Sequence, residues 1–226
     1  MNERRTTCGW TRRTVVGIVA WMVVAVGGPV HAATPEPLFR QDFGQIEVGT
    51  LPEGFLVLDG QFGVKAEGAE RFLELPGAPL DTYGVMFGPA RKEDWGALAR
   101  FYGTSQGRRF PSFGVSVGGV GGYRVQVSPA KRALELLKGD DVLASSTFAW
   151  ESGSWTQVRI QVRKTAEGAW QVQGKAWKDG GAEPTEWMVT RTETEAPITG
   201  RAAVWGKPFS GTPIRFDDLK VLPLEK

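Results

Sequence analysis

The stretch Ser154 to Trp187, SWTQVRIQVRKTAEGAWQVQGKAWKDGGAEPTEW, restricts the fold more than any other part of the chain. Two runs of apolar–polar alternation are separated by a turn at Glu167-Gly168, and a Gly-rich loop ending on a Trp follows. A period of two puts successive side chains on opposite faces of an extended strand, so each run offers one face to a core and one to solvent. Val158, Ile160 and Val162 share one phase, and Arg159, Gln161 and Arg163 the other. In the second run Trp170, Val172, Gly174 and Ala176 stand against Gln171, Gln173, Lys175 and Trp177. Tyr123, Val125 and Val127 against Arg124, Gln126 and Ser128 repeat the scheme.

The rest of the chain is punctuated in the same way. A first strand is expected over Leu38 to Phe43, and Leu51 to Lys65 reads as a hairpin in which Asp59-Gly60 separates Phe55–Leu58 from Gln61–Lys65. Short strands bounded by Gly, Pro or Asp are expected at Arg71–Leu75, Tyr83–Phe87, Ala97–Tyr102 and Phe113–Val117. Ala130–Lys138 contains good helix formers, but Gly139-Asp140 follows it like a hairpin turn, so it is read as strand. Arg201–Trp205 and Pro213–Leu222 supply the last two strands. About a dozen or more short strands without a blade-like repeat predict an all-β, two-sheet antiparallel sandwich of jelly-roll type.

Residues 1–32 read as a signal peptide, with a basic segment up to Arg13, an apolar run from Val15 to Val26 and the small-residue site Val30-His31-Ala32. The run is about a dozen residues, short of the roughly 20 that span a bilayer, so no membrane span is expected after cleavage. Thr11-Arg12-Arg13-Thr14 also resembles a twin-arginine signal. The expectation is an exported protein, periplasmic or extracellular, with residues 33–226 as one domain. The whole chain carries 27 Lys and Arg against 25 Asp and Glu; removing four basic residues and Glu3 with the leader leaves 23 and 24. A chain so close to neutrality has no electrostatic case for nucleic acid.

Cleavage also removes Cys8 and His31, the only cysteine and the only histidine. A His-based triad, a thiol nucleophile and a His- or thiolate-ligated metal are thereby excluded from the mature domain, and no catalytic residue is assigned.

Several segments, Trp155-x-x-Val158-x-Ile160-x-Val162, Gly174-Lys175-Ala176-Trp177, Glu183-Pro184-x-x-Trp187 and Pro213-Ile214-x-Phe216-Asp217-Asp218-Leu219, resemble the concanavalin A-like (laminin G-like) jelly rolls of exported bacterial proteins. The opening Phe39-x-x-Asp42-Phe43 and Leu51-Pro-Glu-Gly-Phe55 fit the start of the same pattern. The resemblance implies the fold and a superfamily of lectins, glycoside hydrolases and carbohydrate-binding modules. A distantly similar group is named for 3-keto-disaccharide hydrolysis, and the His-containing strand associated with it is absent here.

The expected ligand is a polysaccharide or other cell-envelope glycan, bound without chemistry. Indole rings stack on the C–H faces of pyranoses. Trp177, which alternates with polar residues, and Trp187, which ends a Gly/Pro-rich loop, are the expected platforms among the seven Trp outside the leader. Arg124, Gln126, Arg159, Gln161, Gln171 and Gln173 are expected to complete the binding face. The alternatives are a divergent glycoside hydrolase using paired carboxylates and a structural or adhesive envelope domain; the E-x-D-x-x-E spacing of laminarinase-like enzymes occurs nowhere. In jelly rolls the first and last strands lie side by side, which makes Asp42 and Asp217 the candidate ligands of a structural Ca2+.

Overall fold

The structure is a computed structural model that describes residues 1–3, 9, 36–79, 81–209 and 211–224. The expected signal peptide lies almost wholly outside the described residues. Among the described residues no helix is long and apolar enough to cross a membrane. The chain divides into Met1–Ala33 and Thr34–Lys226, and the second unit carries all the elements that follow.

Among the described residues fifteen strands build two antiparallel sheets. Sheet A runs in the order β13 (Val189–Glu193), β12 (Trp170–Lys178), β11 (Thr156–Lys164), β6 (Trp95–Tyr102), β15 (Ile214–Pro223), β4 (Glu70–Leu75) and β3 (Gly63–Glu67), with β1 (Phe39–Gln41) also paired to β15. Sheet B runs β10 (Asp141–Thr147), β9 (Ala133–Lys138), β8 (Tyr123–Ser128), β7 (Ser112–Val117), β14 (Gly200–Lys207), β5 (Tyr83–Arg91) and β2 (Leu56–Asp59). Local hairpins join β3 to β4, β7 through β10, and β11 through β13, while the remaining connections switch sheets. The result is the two-sheet antiparallel jelly-roll sandwich that the alternation predicts.

The inward phases form one core. Val158, Ile160, Val162 and Val172 of sheet A and Val115, Val125, Val127, Leu134 and Leu136 of sheet B are buried. Phe101 of β6 stacks on Phe113 of β7 across the interlayer, with centroids 5.1 Å apart and planes at 15°. Gly174 lets β12 approach β8, since a Cβ there would come within 2.3 Å of Val125 Cγ2. A one-atom change at such a contact has no free volume to enter.

Ala130–Lys138 resolves into a 3₁₀ turn at Pro129–Lys131 followed by β9, which pairs with β10 across Gly139-Asp140 as expected. The expected hairpin at Asp59-Gly60 is not formed. Gly60 does turn the chain, with φ of +99°, but β2 pairs with β5 in sheet B and β3 with β4 in sheet A. The reason is packing: Phe55 meets Phe87 at 6.2 Å, while Phe62 meets Phe216 at 5.8 Å. A turn reverses direction, and the partners of the flanking side chains decide which sheet receives each strand.

Candidate functional site

Each strand turns one phase away from the core, so the sandwich has two outer faces on which a ligand can sit. On sheet B, Trp205 of β14 lies in register between Gly84 of β5 and Gly114 of β7. With no side chain on either flank, the indole lies down across the sheet. A Cβ at Gly84 would come within 2.5 Å of its Cε3 and 2.6 Å of its Cζ3. Its Nε1 donates to Ser116 Oγ of β7 at 2.6 Å. The ring therefore spans three strands, is fixed by a hydrogen bond, and stays partly exposed.

Arg124 of β8 borders the ring, with its guanidinium carbon 5.6 Å from the ring centroid. Burial pulls its pKa below the ordinary value, against the opposing charge of Asp140. Among the described residues its buried Nε has no hydrogen-bond partner and no carboxylate lies within ion-pair distance of it. A pocket of about 40 Å³ opens between Arg124, Trp205, Ser116 and the Gly119–Gly122 loop. Gln126 is already engaged: its Nε2 donates to Ser128 Oγ at 3.0 Å, and that hydroxyl donates to Glu135 Oε2 at 2.6 Å. Lys131 holds the other oxygen of this buried carboxylate at 2.8 Å.

Of the other six expected residues, Arg159, Gln161, Gln171, Gln173 and Trp177 belong to sheet A, and Trp187 lies in the loop between β12 and β13. Arg159 faces Lys175, Gln161 faces Gln173, Arg163 faces Gln171 and Gln157 faces Trp177 across the β11–β12 pair. The eight residues thus form two patches on opposite sides of the sandwich, not one face. Alternation shows that a side chain points outward; which outside depends on the sheet its strand joins.

The sheet A patch is closed by its own loop. Glu183 Oε1 accepts from Arg159 at 2.7 Å and pairs with Lys175 at 2.8 Å, and Lys175 also donates to the carbonyl of Pro184 at 2.6 Å. Trp187 lies over Lys175 at 4.4 Å and near Arg159 at 5.6 Å. Burial alone would raise the Glu183 pKa, but the Lys175 hydrogen bond and the Arg159 and Lys175 charges carry it below the usual carboxylate range. Gln161 Nε2 donates to Gln173 Oε1 at 2.9 Å, so these two amides satisfy each other. Trp177 and Gln171 are left half-buried at the surface.

Arg100 of β6 organises the neighbouring part of this face. Its Nη2 bonds Asp217 Oδ2 at 2.6 Å and Glu70 Oε1 at 2.8 Å, its Nη1 bonds Asp179 Oδ2 at 3.2 Å, and its Nε lies 3.4 Å from Asp218 Oδ2. The guanidinium also stacks on Trp155 at 4.3 Å. Burial opposes the charge on Arg100, yet the hydrogen bond and charge of Asp217, joined by Asp179 and Asp218, raise its pKa. One cation shared among four carboxylates leaves Asp217 incompletely compensated. Burial pushes Asp217 up to about 6, against the Arg100 hydrogen bond and the Asp218 backbone N–H.

The strands carrying the expected Ca2+ pair do lie side by side, with Gln41 in register with Leu219. Beside Asp217, however, the positive charge is Arg100, and Asp42 is exposed, accepting from the Gly44 N–H at 3.3 Å. Among the described residues no group of three or more His, Cys, Asp or Glu could hold a metal ion.

Trp205 and Arg100 are the residues that sequence reasoning missed. The signal for Trp205 was present in GRAAVWGK, where it shares a phase with Arg201 and Lys207 rather than with Ala202 and Val204. A second concavity of about 540 Å³ lies among Asp59, Gln61, Leu75, Pro76 and Tyr83; Asp59 is the only carboxylate among the described residues of its lining.

No family model matches the chain, and no curated protein matches it. Solved structures do. A protein of unknown function with a galectin-like fold from Bacillus subtilis is 9% identical with a TM-score of 0.57, covering 84% of this chain and 97% of that one. The Emp47p carbohydrate recognition domain is 10% identical with a TM-score of 0.56, covering 86% and 99%. The carbohydrate-binding module CBM66 from Bacillus subtilis is 8% identical with a TM-score of 0.52, covering 75% and 95%. Together with the topology, these similarities make the fold a galectin-like, concanavalin A-like jelly-roll sandwich.

Proposed function

We propose that this protein is an exported carbohydrate-binding domain that recognises a glycan without cleaving it, on the outer face of sheet B. The observation that carries the reading is the Trp205 indole, laid flat between Gly84 and Gly114 and pinned by Ser116. A fixed, partly exposed aromatic plane is what a pyranose needs for C–H stacking, and little conformational entropy is lost on binding because the ring is already held. Arg124 stands beside it as a hydrogen-bond donor.

The described lining of the neighbouring pocket contains no carboxylate, whereas glycoside hydrolysis needs a pair about 5 to 9.5 Å apart. That favours recognition over hydrolysis. Two of the structural neighbours bear carbohydrate-binding names, in line with the same reading at the level of the fold. Export rests on the basic, apolar and small-residue pattern of residues 1–32.

The test is a glycan array probed with the protein lacking residues 1–32 and with its Trp205→Ala variant. Binding that is lost in the variant supports the proposal. Retained binding would place the site elsewhere, Trp177 and Trp187 being the next positions to replace, and an array without hits would favour a structural role.

A further inference from the structure

We infer that the glycan is acidic, and that Arg124 receives an oxyanion substituent, a carboxylate or a sulfate ester, of the pyranose that stacks on Trp205. This rests on the glycan-binding reading above and narrows it to a ligand class. A guanidinium offers five N–H donors in a planar fork and remains charged at every working pH. Taking such a group out of water is costly unless it is paired. Four cations on the outer faces show such pairing: Arg100 with Glu70, Asp179, Asp217 and Asp218, Arg159 and Lys175 with Glu183, and Arg215 with Glu67. Arg124 lacks such a pairing: among the described residues no carboxylate lies within ion-pair distance of it, and its buried Nε has no hydrogen-bond partner.

The surroundings define what can pair with it. The pocket beside the guanidinium is about 40 Å³, roughly three times the space one water requires, which suits a group of three or four heavy atoms and not a sugar ring. The ring then has to stay outside, and the partly exposed Trp205 is part of the pocket's lining. A pyranose stacked on the indole can direct a charged substituent into the pocket, where the fork of Arg124 takes two oxygens at once. Ser116 Oγ lies on the same wall, already accepting from the indole N–H, with its own proton available to an oxyanion. The Gly119–Gly122 side contributes no charge, so nothing there opposes an anion. Asp140, in the β9–β10 turn, is the nearby acid whose charge is felt at Arg124; it is exposed to solvent.

The experiment measures affinity by titration calorimetry against matched ligands: an oligogalacturonate, the same oligomer after carboxyl reduction to its neutral form, and a sulfated galactan oligosaccharide. Wild type, Arg124→Gln, Arg124→Lys and Trp205→Ala are compared. The expected result is that at least one acidic ligand binds at least 10-fold more tightly than the neutral one, with an affinity that falls as salt rises, and that Arg124→Gln abolishes this preference. Whether the uronate or the sulfated arm shows the effect identifies the source of the oxyanion. Arg124→Lys is expected to keep part of the preference, since an ammonium is a point charge without the fork. Arg124→Gln is expected to melt no lower than wild type, because no partner among the described residues is orphaned by it.

Equal affinity for acidic and neutral ligands would overturn the inference and leave glycan binding standing. An acidic preference that survives Arg124→Gln, or a melting temperature lowered by that change, would overturn the assignment to Arg124. Absence of binding to all three ligands, with no hit on the wider array, would overturn both readings.

Discussion

Replacing Asp217 by Asn should change how stability depends on pH. Asp217 is 4% exposed and shares Arg100 with three other carboxylates, and burial lifts its pKa from 3.8 to about 6. In the unfolded chain the group titrates near the ordinary value. Above pH 6 it is ionised in both states, and the folded protein carries the full cost of an incompletely compensated charge. Between about 6 and 3.8 the folded state takes up the proton before the unfolded state does, so this residue's contribution to stability rises as pH falls. A displacement of about two pH units, at roughly 1.4 kcal/mol each, gives about 3 kcal/mol. In a domain of this size that corresponds to about 6–12 °C in Tm.

The Asn variant keeps an acceptor for Arg100 but cannot titrate. Urea unfolding of both proteins at pH 7.5, 6, 5 and 4 reports on Asp217 and the carboxylates that share Arg100 with it, because carboxylates far from Arg100 affect both alike. The stability of wild type relative to D217N is expected to grow by roughly 2.4 kcal/mol from pH 7.5 to pH 4, the remainder appearing below the unfolded pKa. Parallel profiles, or a difference that shrinks on acidification, would refute the reasoning and show that Arg100 compensates Asp217 in full.

The remaining expectations concern the two outer faces and the metal. Gly84→Ala introduces a methyl group 2.5 Å from the indole, which should lift Trp205 from the sheet, break its 2.6 Å bond to Ser116, cost about 1–3 kcal/mol and weaken glycan binding together with a shift in Trp fluorescence. Unchanged fluorescence and binding would mean that the ring does not need the flat seat. Glu183→Ala leaves the buried Lys175 with the Pro184 carbonyl and the Trp187 face, and should cost about 1–3 kcal/mol in urea unfolding, an amount reduced by the partial exposure of Glu183. The pH sign at Glu183 is opposite to that at Asp217: its pKa lies below the ordinary value, so its contribution is complete at neutral pH and is lost as pH falls through the folded value. Chelation with EDTA should leave Tm unchanged, because the carboxylate of Asp217 is already engaged by Arg100; a fall in Tm on chelation, restored by Ca2+, would mean that a cation competes for that position.

Much of the architecture was legible in period-two alternation, because a strand buried on one face must place apolar residues at every second position. Val158, Ile160, Val162 and Val172 are buried as that pattern requires, and Arg124, Gln126, Arg159, Gln173 and Trp177 point outward. That Cys8 and His31 are the only cysteine and the only histidine of the chain likewise needed no structure.

The tertiary structure decided which strands share a sheet. Asp59-Gly60 turns the chain, yet β2 and β3 part company there because Phe55 and Phe62 pack against different strands. The same decision placed Arg124 on the side of the sandwich opposite Arg159 and joined it instead to Trp205, about 80 residues later in the chain. It also set Arg100 among Glu70, Asp179, Asp217 and Asp218, contributed by separate parts of the chain. Alternation is a property of neighbouring residues and survives any topology. A binding surface depends on which distant strands become neighbours, and long-range packing between the two sheets settles that.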